Sequence, residues 1–397
     1  AMPYLQQWLF NPGGIKRVKL FYRVNDYHPF DIKDSSAASS VRHRVDRVCR
    51  CLPDATKSII YSIVKEKNVL LIKRNVNNTE NNQQCITYFV PSNPLGILIK
   101  IFLSLCLMIY LLFKTLKKEN YLLIYNLLPV HIFPYLIASY IYPSFLKKTI
   151  FQVEELYSMY NFSFIKNLLN LHSEKFVFRN GLNFIVVNEN VKKIIKQKKA
   201  KSIVDYGYNT RNSKAYNKLS VSDAIVYTGR LDYVGGVEVL LEAISNLPSD
   251  IRNKFVITGY GGLKEQVVAH ANELNIKFKG FLSEADYDSL LSSAKISINP
   301  LRSKCNFSLY SFPSKVLQYL EYGCVVISSG IEQPELEYYF SDELFSYKND
   351  DARTLSMLIM EINSRNFDKV KIIDKYHVFM KNKEKKLRAF FLSVFEG

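Results

Sequence analysis

A turn with the side chains of a phosphate site lies directly before a predicted helix in the second half of the chain. It reads Ser311-Phe-Pro-Ser-Lys315, and the apolar spacing from Val316 to Gly323 predicts the helix. Pro313 suits the first turn, Ser314 can cap the helix, and the free N–H groups of a first turn bind phosphate. The segment therefore predicts an anion site at a helix N-terminus.

Two further turns place glycine at the end of a predicted strand. The strand Ile225–Leu231 contains Gly229-Arg230, and a helix is predicted to start after Gly235. An arginine at such a turn can bind a diphosphate through two parallel hydrogen bonds, although a tight turn with a surface arginine gives the same pattern. The strand beginning at Val256 ends in Gly259-Tyr260, where glycine allows a ligand close to the backbone or simply a tight turn.

The elements that position these turns alternate between strands and helices. With 397 residues, this alternation predicts two domains, each a parallel sheet with crossover helices. We expect an N-terminal domain over 1–206, a second over 207–380 and a helix over 381–397 that packs back on the first. The connection is expected within Tyr206–Ser220.

The sequence also predicts individual elements of the first half. Lys57–Lys65 is interpreted as the end of a helix, Asn68–Ile72 as a strand, and Asn75–Gln84 as a polar loop. Lys192–Ser202 is interpreted as the end of a lysine-rich helix, and Asp34–Ser40 as a loop of small residues.

In their order and spacing, the three turns resemble glycosyltransferase family 4. The resemblance is specific over Ala224–Ser329 and includes the variant motif Phe-Pro-Ser-Lys. It implies the GT-B fold, an α/β architecture of two Rossmann-like doubly wound domains facing a cleft. It also implies a retaining, metal-independent transfer from a nucleotide-diphospho-sugar, with no further cofactor. The residues implied to bind the donor are Gly229, Arg230, Gly259, Tyr260, Phe312, Pro313, Ser314, Lys315 and Gln318.

Two positions depart from the family pattern. Gly235 stands where the family has a second phosphate-binding lysine, and Gln318 stands where it has a ribose-binding glutamate. Glutamine can still hydrogen-bond hydroxyls, but it carries no charge. We expect Lys315 to supply the missing cation, because two cations stabilise a leaving diphosphate better than one.

The first half is expected to carry the acceptor site. His131 follows a predicted strand, and the resemblance implies a histidine near the donor sugar there, although a structural histidine at a helix start is the alternative. Glu154 and Glu155 also follow a strand, and one of them could orient an acceptor hydroxyl. The expected catalytic residues are His131, Glu155, Arg230 and Lys315; His28 and His43 are weaker candidates.

The formal net charge of +17 comes from small, dispersed basic clusters. Such clusters favour an anionic membrane surface or a pyrophosphate substrate over a nucleic acid, which would require an organised motif. Ile101–Phe113 is a run of 13 uncharged residues, too short for a confident membrane span. It predicts either a buried helix or an interfacial one.

Six cysteines without a CxxC pair, and no recognisable signal peptide, lead us to expect a cytoplasmic protein at the inner face of the membrane. The leading interpretation is a transferase of surface-polysaccharide biosynthesis that acts on a glycan or lipid-linked glycan. The alternative is a catalytically silent GT-B protein that binds a nucleotide or a partner enzyme.

Overall fold

The computed structural model describes the chain in ten segments, namely 18–24, 36–66, 69, 71–78, 82–160, 162–208, 222–302, 309–329, 333–348 and 351–396. The expected connection over Tyr206–Ser220 and the candidate His28 therefore lie largely or wholly outside the described residues, as does the side chain of His43.

The first domain is built on an eight-stranded sheet within the described residues. Its strands are β1 (Lys19–Arg23), β2 (Lys57–Glu66), β3 (Ile72–Asn78), β4 (Gln83–Pro91), β5 (Asn120–Tyr125), β6 (Thr149–Val153), β7 (Asn183–Val186) and β8 (Lys201–Val204). Their order is β3-β4-β2-β1-β5-β6-β7-β8, and only the β3–β4 pair is antiparallel. Strand order reverses between β1 and β5, which makes their carboxyl ends a topological switch point, the usual ligand site of open α/β sheets.

Helices cover both faces of this sheet. They are α1 (Ser36–Arg50), α2 (Pro94–Thr115), α3 (Pro129–Ile141), α4 (Ser144–Lys148), α5 (Phe164–Asn180) and α6 (Glu189–Lys193). Alternate strand residues point to opposite faces, so Leu20 and Tyr22 pack with Val45 of α1, whereas Phe21 packs in the core with Leu107 of α2. The layer of α2, α3 and α5 lies on the face opposite α1.

The second domain has a six-stranded sheet among its described residues, and all of its strand pairs are parallel. Its strands are β9 (Ile225–Arg230), β10 (Phe255–Tyr260), β11 (Lys277–Phe278), β12 (Ile296–Asn299), β13 (Val325–Ser329) and β14 (Leu344–Tyr347). Their order is β11-β10-β9-β12-β13-β14, so the switch point lies between β9 and β12.

The helices of the second domain connect these strands. They are α7 (Val237–Ser245), α8 (Ser249–Arg252), α9 (Lys264–Leu274), α10 (Glu284–Ser293), α11 (Ser314–Glu321), α12 (Pro334–Tyr339) and α13 (Ala352–Asn363).

One long helix, α14 (Lys369–Glu396), links the two domains. At its start, Lys369 Nζ donates to the carbonyls of Ser292 (2.9 Å) and Ala294 (2.6 Å) in the second domain. At its end, the carbonyl of Phe395 accepts a hydrogen bond from Tyr121 of the first domain. The expected boundary between 380 and 381 therefore falls inside a continuous helix.

Several predicted elements of the first half are wrong. Lys57–Lys65 is strand β2, because its β-branched and aromatic side chains fill a sheet that is covered on both faces. The predicted loop Asn75–Gln84 instead contributes to β3 and β4, and β3 tolerates its asparagines because it is an edge strand.

Three other boundaries also differ. The predicted strand Asn68–Ile72 begins only at Ile72, and the predicted helix end Lys192–Ser202 contains the start of β8. Within Asp34–Ser40, the residues from Ser36 onward form the first turns of α1 rather than a loop, since the two alanines favour a helix.

Candidate active site

The ends of β9 and β10 meet at two glycines. Gly229 and Gly259 are register partners, and a Cβ on Gly259 would lie 1.8 Å from the carbonyl oxygen of Gly229. Gly259 also has a φ of 145°, which side chains rarely adopt. The close approach leaves the next residues, Arg230 and Tyr260, side by side at the carboxyl ends of these two strands.

Arg230 is available to an incoming ligand. Its side chain is 73% exposed and pairs with Asp232, with 2.5 Å between Nη2 and Oδ2. Beside it, the exposed Tyr260 ring meets Phe281 edge to face, with 5.7 Å between the ring centroids. Phe281 belonged to no predicted site, and its position after β11 was the signal that could have revealed it.

The N-terminus of α11 points into the same region without a described side-chain cap. Pro313 occupies the cap position, and the helix begins at Ser314, so the prediction that Ser314 caps it is wrong. Proline cannot cap through a side-chain oxygen, so the backbone N–H groups of Ser314 and Lys315 have no side-chain acceptor among the described residues and are open to an anion, whereas the N–H of Val316 donates to the carbonyl of Pro313.

Lys315 is held at the end of β9 by two hydroxyl groups. Its Nζ donates to Thr228 Oγ1 at 3.2 Å and to the Tyr287 hydroxyl at 3.3 Å. The Tyr287 hydroxyl in turn donates to Gln318 Oε1 at 2.8 Å. Lys315 and Gln318 thus share one hydrogen-bonded network, and neither Thr228 nor Tyr287 was singled out from the sequence.

Phe312 is placed differently from its neighbours in the motif. It is 5% exposed and stacks on Tyr206, with 4.4 Å between the ring centroids. Just before it, Asn188 of the first domain donates to the carbonyls of Leu309 and Ser311, both at 3.0 Å. Phe312 therefore anchors the turn against the first domain, and its side chain does not face open space.

Gly235 has no room for a side chain. A Cβ there would lie 2.4 Å from the carbonyl oxygen of Arg230 and 3.0 Å from the Tyr227 hydroxyl. The backbone N–H of Gly235 donates to Asp232 Oδ1 at 2.7 Å. The loop is thus folded tightly against the end of β9, which explains physically why a lysine is absent at this position.

A pocket of about 460 Å³ opens at the switch point of the first sheet. Asn126, immediately after β5, has a φ of 55° and lines this pocket. Its Oδ1 accepts hydrogen bonds from the backbone N–H groups of Glu154 (2.9 Å) and Glu155 (3.3 Å). This contact fixes the loop after β6, so that Glu155 lines the pocket while Glu154 is buried behind it.

The buried Glu154 pairs with Arg44 of α1, at 3.5 Å between Oε2 and Nη1. Burial raises the pKa of Glu154, although Arg44 and Gln152 act against burial. Arg44 also donates to the Tyr125 hydroxyl at 3.3 Å and lines the pocket. Arg44 was not singled out from the sequence, since nothing in it indicates which arginine of α1 faces the strand ends.

His131 is completely buried, and neither ring nitrogen has a hydrogen-bond partner among the described residues. Its neighbours Leu128 and Val130 line the pocket, but His131 does not. Burial lowers the pKa of His131 well below its ordinary value, and the nearby cations Arg23 and Lys100 lower it further. His131 is therefore a neutral core side chain in this conformation.

The two sites face each other across the cleft. Tyr160 of the first domain lies near charged groups of both sites. Burial and the Glu155 carboxylate raise the pKa of Tyr160 to about 12, while Arg44 and Arg230 act in the opposite direction. The structure thus places the Lys315–Gln318 network on the strand that ends in Arg230, with Tyr160 near both Arg230 and Glu155, and it keeps the side chains of His131 and Phe312 out of the cleft. In the described part of the chain, no cluster of three or more His, Cys, Asp or Glu side chains could hold a metal ion.

Comparison with known proteins agrees with this architecture. Residues 222–358, less than half of the chain, match the family model described as "Glycosyl transferases group 1". A search of curated proteins found no significant match.

Solved structures resemble the chain over almost its whole length. Sucrose-phosphate synthase from Thermosynechococcus elongatus is 14% identical, with a TM-score of 0.61 and 96% of each chain covered. The UDP-forming α,α-trehalose-phosphate synthase from Burkholderia xenovorans is 9% identical, with a TM-score of 0.63 over 96% of this chain and 100% of that one. Anabaena HepE in complex with UDP is 14% identical, with a TM-score of 0.53 over 92% and 100%. These likenesses confirm the predicted GT-B fold, with its two Rossmann-like domains.

Proposed function

We propose that the protein is a retaining, metal-independent glycosyltransferase of family 4, in its Phe-Pro-Ser-Lys variant. It moves a sugar from a nucleotide-diphospho-sugar to a hydroxyl group of a glycan or lipid-linked glycan. The observation that carries the proposal is that Arg230, Lys315 and the uncapped N-terminus of α11 converge at one switch point, opposite the pocket that contains Glu155.

Arg230 binds the diphosphate of the donor. Its exposed guanidinium can exchange Asp232 for a phosphate, for which its two parallel N–H donors are well shaped. Lys315 and the first N–H groups of α11 stabilise the charge that grows on the leaving diphosphate. Gln318 binds the ribose hydroxyls, and Tyr260 lies where the nucleobase would rest. A solved structure with the same fold is a complex with UDP, which supports a nucleotide ligand here.

In the transfer itself, the bond between the anomeric carbon and the diphosphate oxygen breaks. The acceptor oxygen bonds to the same face of that carbon, and the products are a glycoside, a nucleoside diphosphate and a proton. Glu155 lines the first-domain pocket and orients the acceptor hydroxyl. No cofactor beyond the donor substrate enters this scheme.

We further propose a cytoplasmic location at the inner face of the membrane and a role in surface-polysaccharide biosynthesis. Support comes from the net charge of +17 and from α2. Among the described helices, α2 is long and apolar enough to cross a membrane, by length and composition only.

A thermal-shift panel of nucleotide-sugars and nucleoside diphosphates tests the donor assignment. A bound nucleotide raises the melting temperature through mass action, and Arg230→Ala should abolish that rise. Arg365→Ala is a matched control, because Arg365 is also exposed and paired with a nearby carboxylate, that of Glu361. If no diphosphate nucleotide stabilises the protein, or if Arg230→Ala leaves the shift intact, the donor site is misassigned.

The second candidate is a catalytically silent protein that binds a nucleotide or a partner enzyme. The tight loop at Gly235 and the uncharged Gln318 favour it, because both weaken the interactions of the family pattern. Release of nucleoside diphosphate from a donor that also shifts the melting temperature would exclude this candidate.

A further inference from the structure

The helix layer of the first domain has an apolar outer surface that the protein itself does not cover. In the most apolar 18-residue stretch of α2, only 33% of the residues are buried. Leu98, Phe102 and Phe113 of α2 are 66%, 66% and 68% exposed, and Tyr140 of α3 and Phe164 of α5 are 77% and 81% exposed. We call the exposed apolar side chains of α2, α3 and α5 the apolar face. Contiguous exposed apolar surface of this kind marks an interaction site.

The inner side of α2 packs against the core of the first domain. Leu107, Met108 and Leu111 are buried against the sheet, so the helix belongs to the domain core along its length. Its 22 residues extend about 33 Å at 1.5 Å per residue. A helix bound in this way cannot leave the domain to span a bilayer, but its outer half can lie in the plane of a membrane surface.

Charge around the apolar face is mostly positive, although the exposed Glu119 directly follows Lys117 and Lys118. The helices α2, α3 and α4 contain no acidic residue. Lys117, Lys118 and Lys147 are exposed near the C-terminal end of α2 and on α4, and Lys166 is exposed at the start of α5. An apolar stripe bordered by lysines complements an anionic lipid surface, because lysine stems lie along apolar surface while their ammonium groups reach the headgroups.

The apolar face is continuous with the pocket that contains Glu155. Ile97 and Ile101 of α2 form an apolar wall of the pocket, and Lys100 and Lys166 line it too. Lys65, at the end of β2, adds another cation. One cavity therefore joins an apolar entrance, a group of ammonium groups and a carboxylate placed to orient a hydroxyl.

We infer that the acceptor is a lipid whose headgroup carries a phosphate and that it enters the pocket from the membrane along α2. This inference rests on the proposed function and names the substrate class of its acceptor site. The hydrocarbon chain lies against Ile97, Ile101 and the apolar face. The phosphate binds Lys100 and Lys166, and the hydroxyl to be glycosylated extends inward to Glu155.

Binding of a fluorescent long-chain alkyl phosphate, measured by anisotropy below its critical micelle concentration, tests the pocket. We expect it to bind at least about tenfold more tightly than an alkyl glucoside with the same chain, and more tightly than inorganic phosphate. Lys100→Ala and Lys166→Ala should each weaken the alkyl phosphate about tenfold and leave the glucoside unchanged. Lys147→Ala is the matched control, since Lys147 is exposed on α4, next to α3, but does not line the pocket.

Co-sedimentation with vesicles tests the apolar face. Wild-type protein should bind vesicles that contain phosphatidylglycerol and not vesicles of phosphatidylcholine alone. Replacing Phe102 and Phe113 together by serine should reduce this binding at least about tenfold. Tyr338→Ser is the control, because Tyr338 is 86% exposed on α12 of the other domain.

The outcomes separate this inference from the proposed function. If the alkyl phosphate binds no better than the glucoside, or if Lys100→Ala and Lys166→Ala do not weaken it, the inference fails. Vesicle binding that is independent of Phe102 and Phe113 also overturns it. In each case the nucleotide thermal shift should persist, because the donor site lies in the other domain. Loss of that shift in wild-type protein would instead contradict the proposed function.

Discussion

Lys315 Nζ donates a hydrogen bond of 3.2 Å to Thr228 Oγ1. Thr228 lies on strand β9, two residues before Arg230. One strand thus carries the arginine and, through its threonine, holds a lysine that lies 87 residues farther along the chain. Because Gly235 has no room for a side chain, we propose that Lys315 acts as the second cation of the donor site.

Replacing Lys315 by alanine should lower kcat by about 100-fold and change the donor KM much less, since the lysine acts on charge that develops as the diphosphate leaves. Steady-state release of nucleoside diphosphate measures this effect. Lys371→Ala, an exposed lysine on α14, provides the control. Turnover of Lys315→Ala within about twofold of wild type would exclude this role.

Changing Gln318 to glutamate should tighten donor binding about fivefold, because a carboxylate accepts hydrogen bonds from ribose hydroxyls more strongly than an amide does. The Tyr287 hydroxyl that now donates to Gln318 Oε1 can donate equally well to a carboxylate. Isothermal titration with the nucleoside diphosphate measures the change. An unchanged or weakened affinity would show that Gln318 does not contact the ribose.

Alanine at Gly235 should destabilise the fold by about 1–3 kcal/mol and weaken nucleotide binding, because the added Cβ overlaps the carbonyl of Arg230. Gly262→Ala is the internal comparison, since a Cβ there meets nothing within 4 Å among the described residues. Thermal melting without and with nucleotide measures the loss of stability and the loss of nucleotide binding. Equal melting temperatures for the two variants would contradict the tight-loop assignment.

The Arg47–Asp205 pair should make stability depend on pH. Arg47 Nε and Nη2 bind the Asp205 carboxylate at 2.7–3.0 Å, and both side chains are buried. Burial alone would raise the pKa of Asp205, but Arg47, with smaller contributions from Lys383 and the Gly207 N–H, outweighs burial and holds that pKa below its usual value. The stabilisation is therefore present above about pH 4 and is lost as the pH falls through the folded-state pKa.

Asp205→Asn should lower the free energy of unfolding by about 3 kcal/mol at pH 7, because it leaves the buried Arg47 with only the Glu384 carboxylate, 3.6 Å from its Nη1. Urea unfolding at several pH values should show the gap to wild type narrowing in acid. Asp54→Asn is the control, since Asp54 pairs with Arg388 at the surface, where ion pairs contribute little. A gap that stays constant down to pH 3 would mean that the pair does not titrate as described.

The second domain was predicted well from the sequence because its signals are local. Gly229-Arg230 and the proline turn before α11 each define a strand or helix end, and the observed ends lie within a few residues of them. The first domain was predicted less well because its signals depend on distant partners. The asparagines of β3 resemble a loop in the sequence, and only their pairing with β4 makes them a strand. The apolar run Ile101–Phe113 is the central part of a 22-residue helix that also includes the flanking residues from Pro94 and up to Thr115.

Side-chain direction limited the prediction of the site in the same way. Glu154 and Glu155 are adjacent and chemically identical, yet only the loop held by Asn126 decides which one faces the pocket. His131 follows a strand end as a ligand-binding residue should, but the packing of α3 turns it inward. Both outcomes arise from tertiary packing that no spacing in the sequence encodes.

The helix α14 has a mechanical consequence for the cleft. The chain crosses from one domain to the other twice, once after Tyr208 and once along α14, whose start is bound to the second domain and whose end is bound to the first. Two separate connections restrain the relative position of the domains more than a single tether would. The helix α14, bound at both ends, therefore limits how far Arg230 can move from its place opposite Glu155.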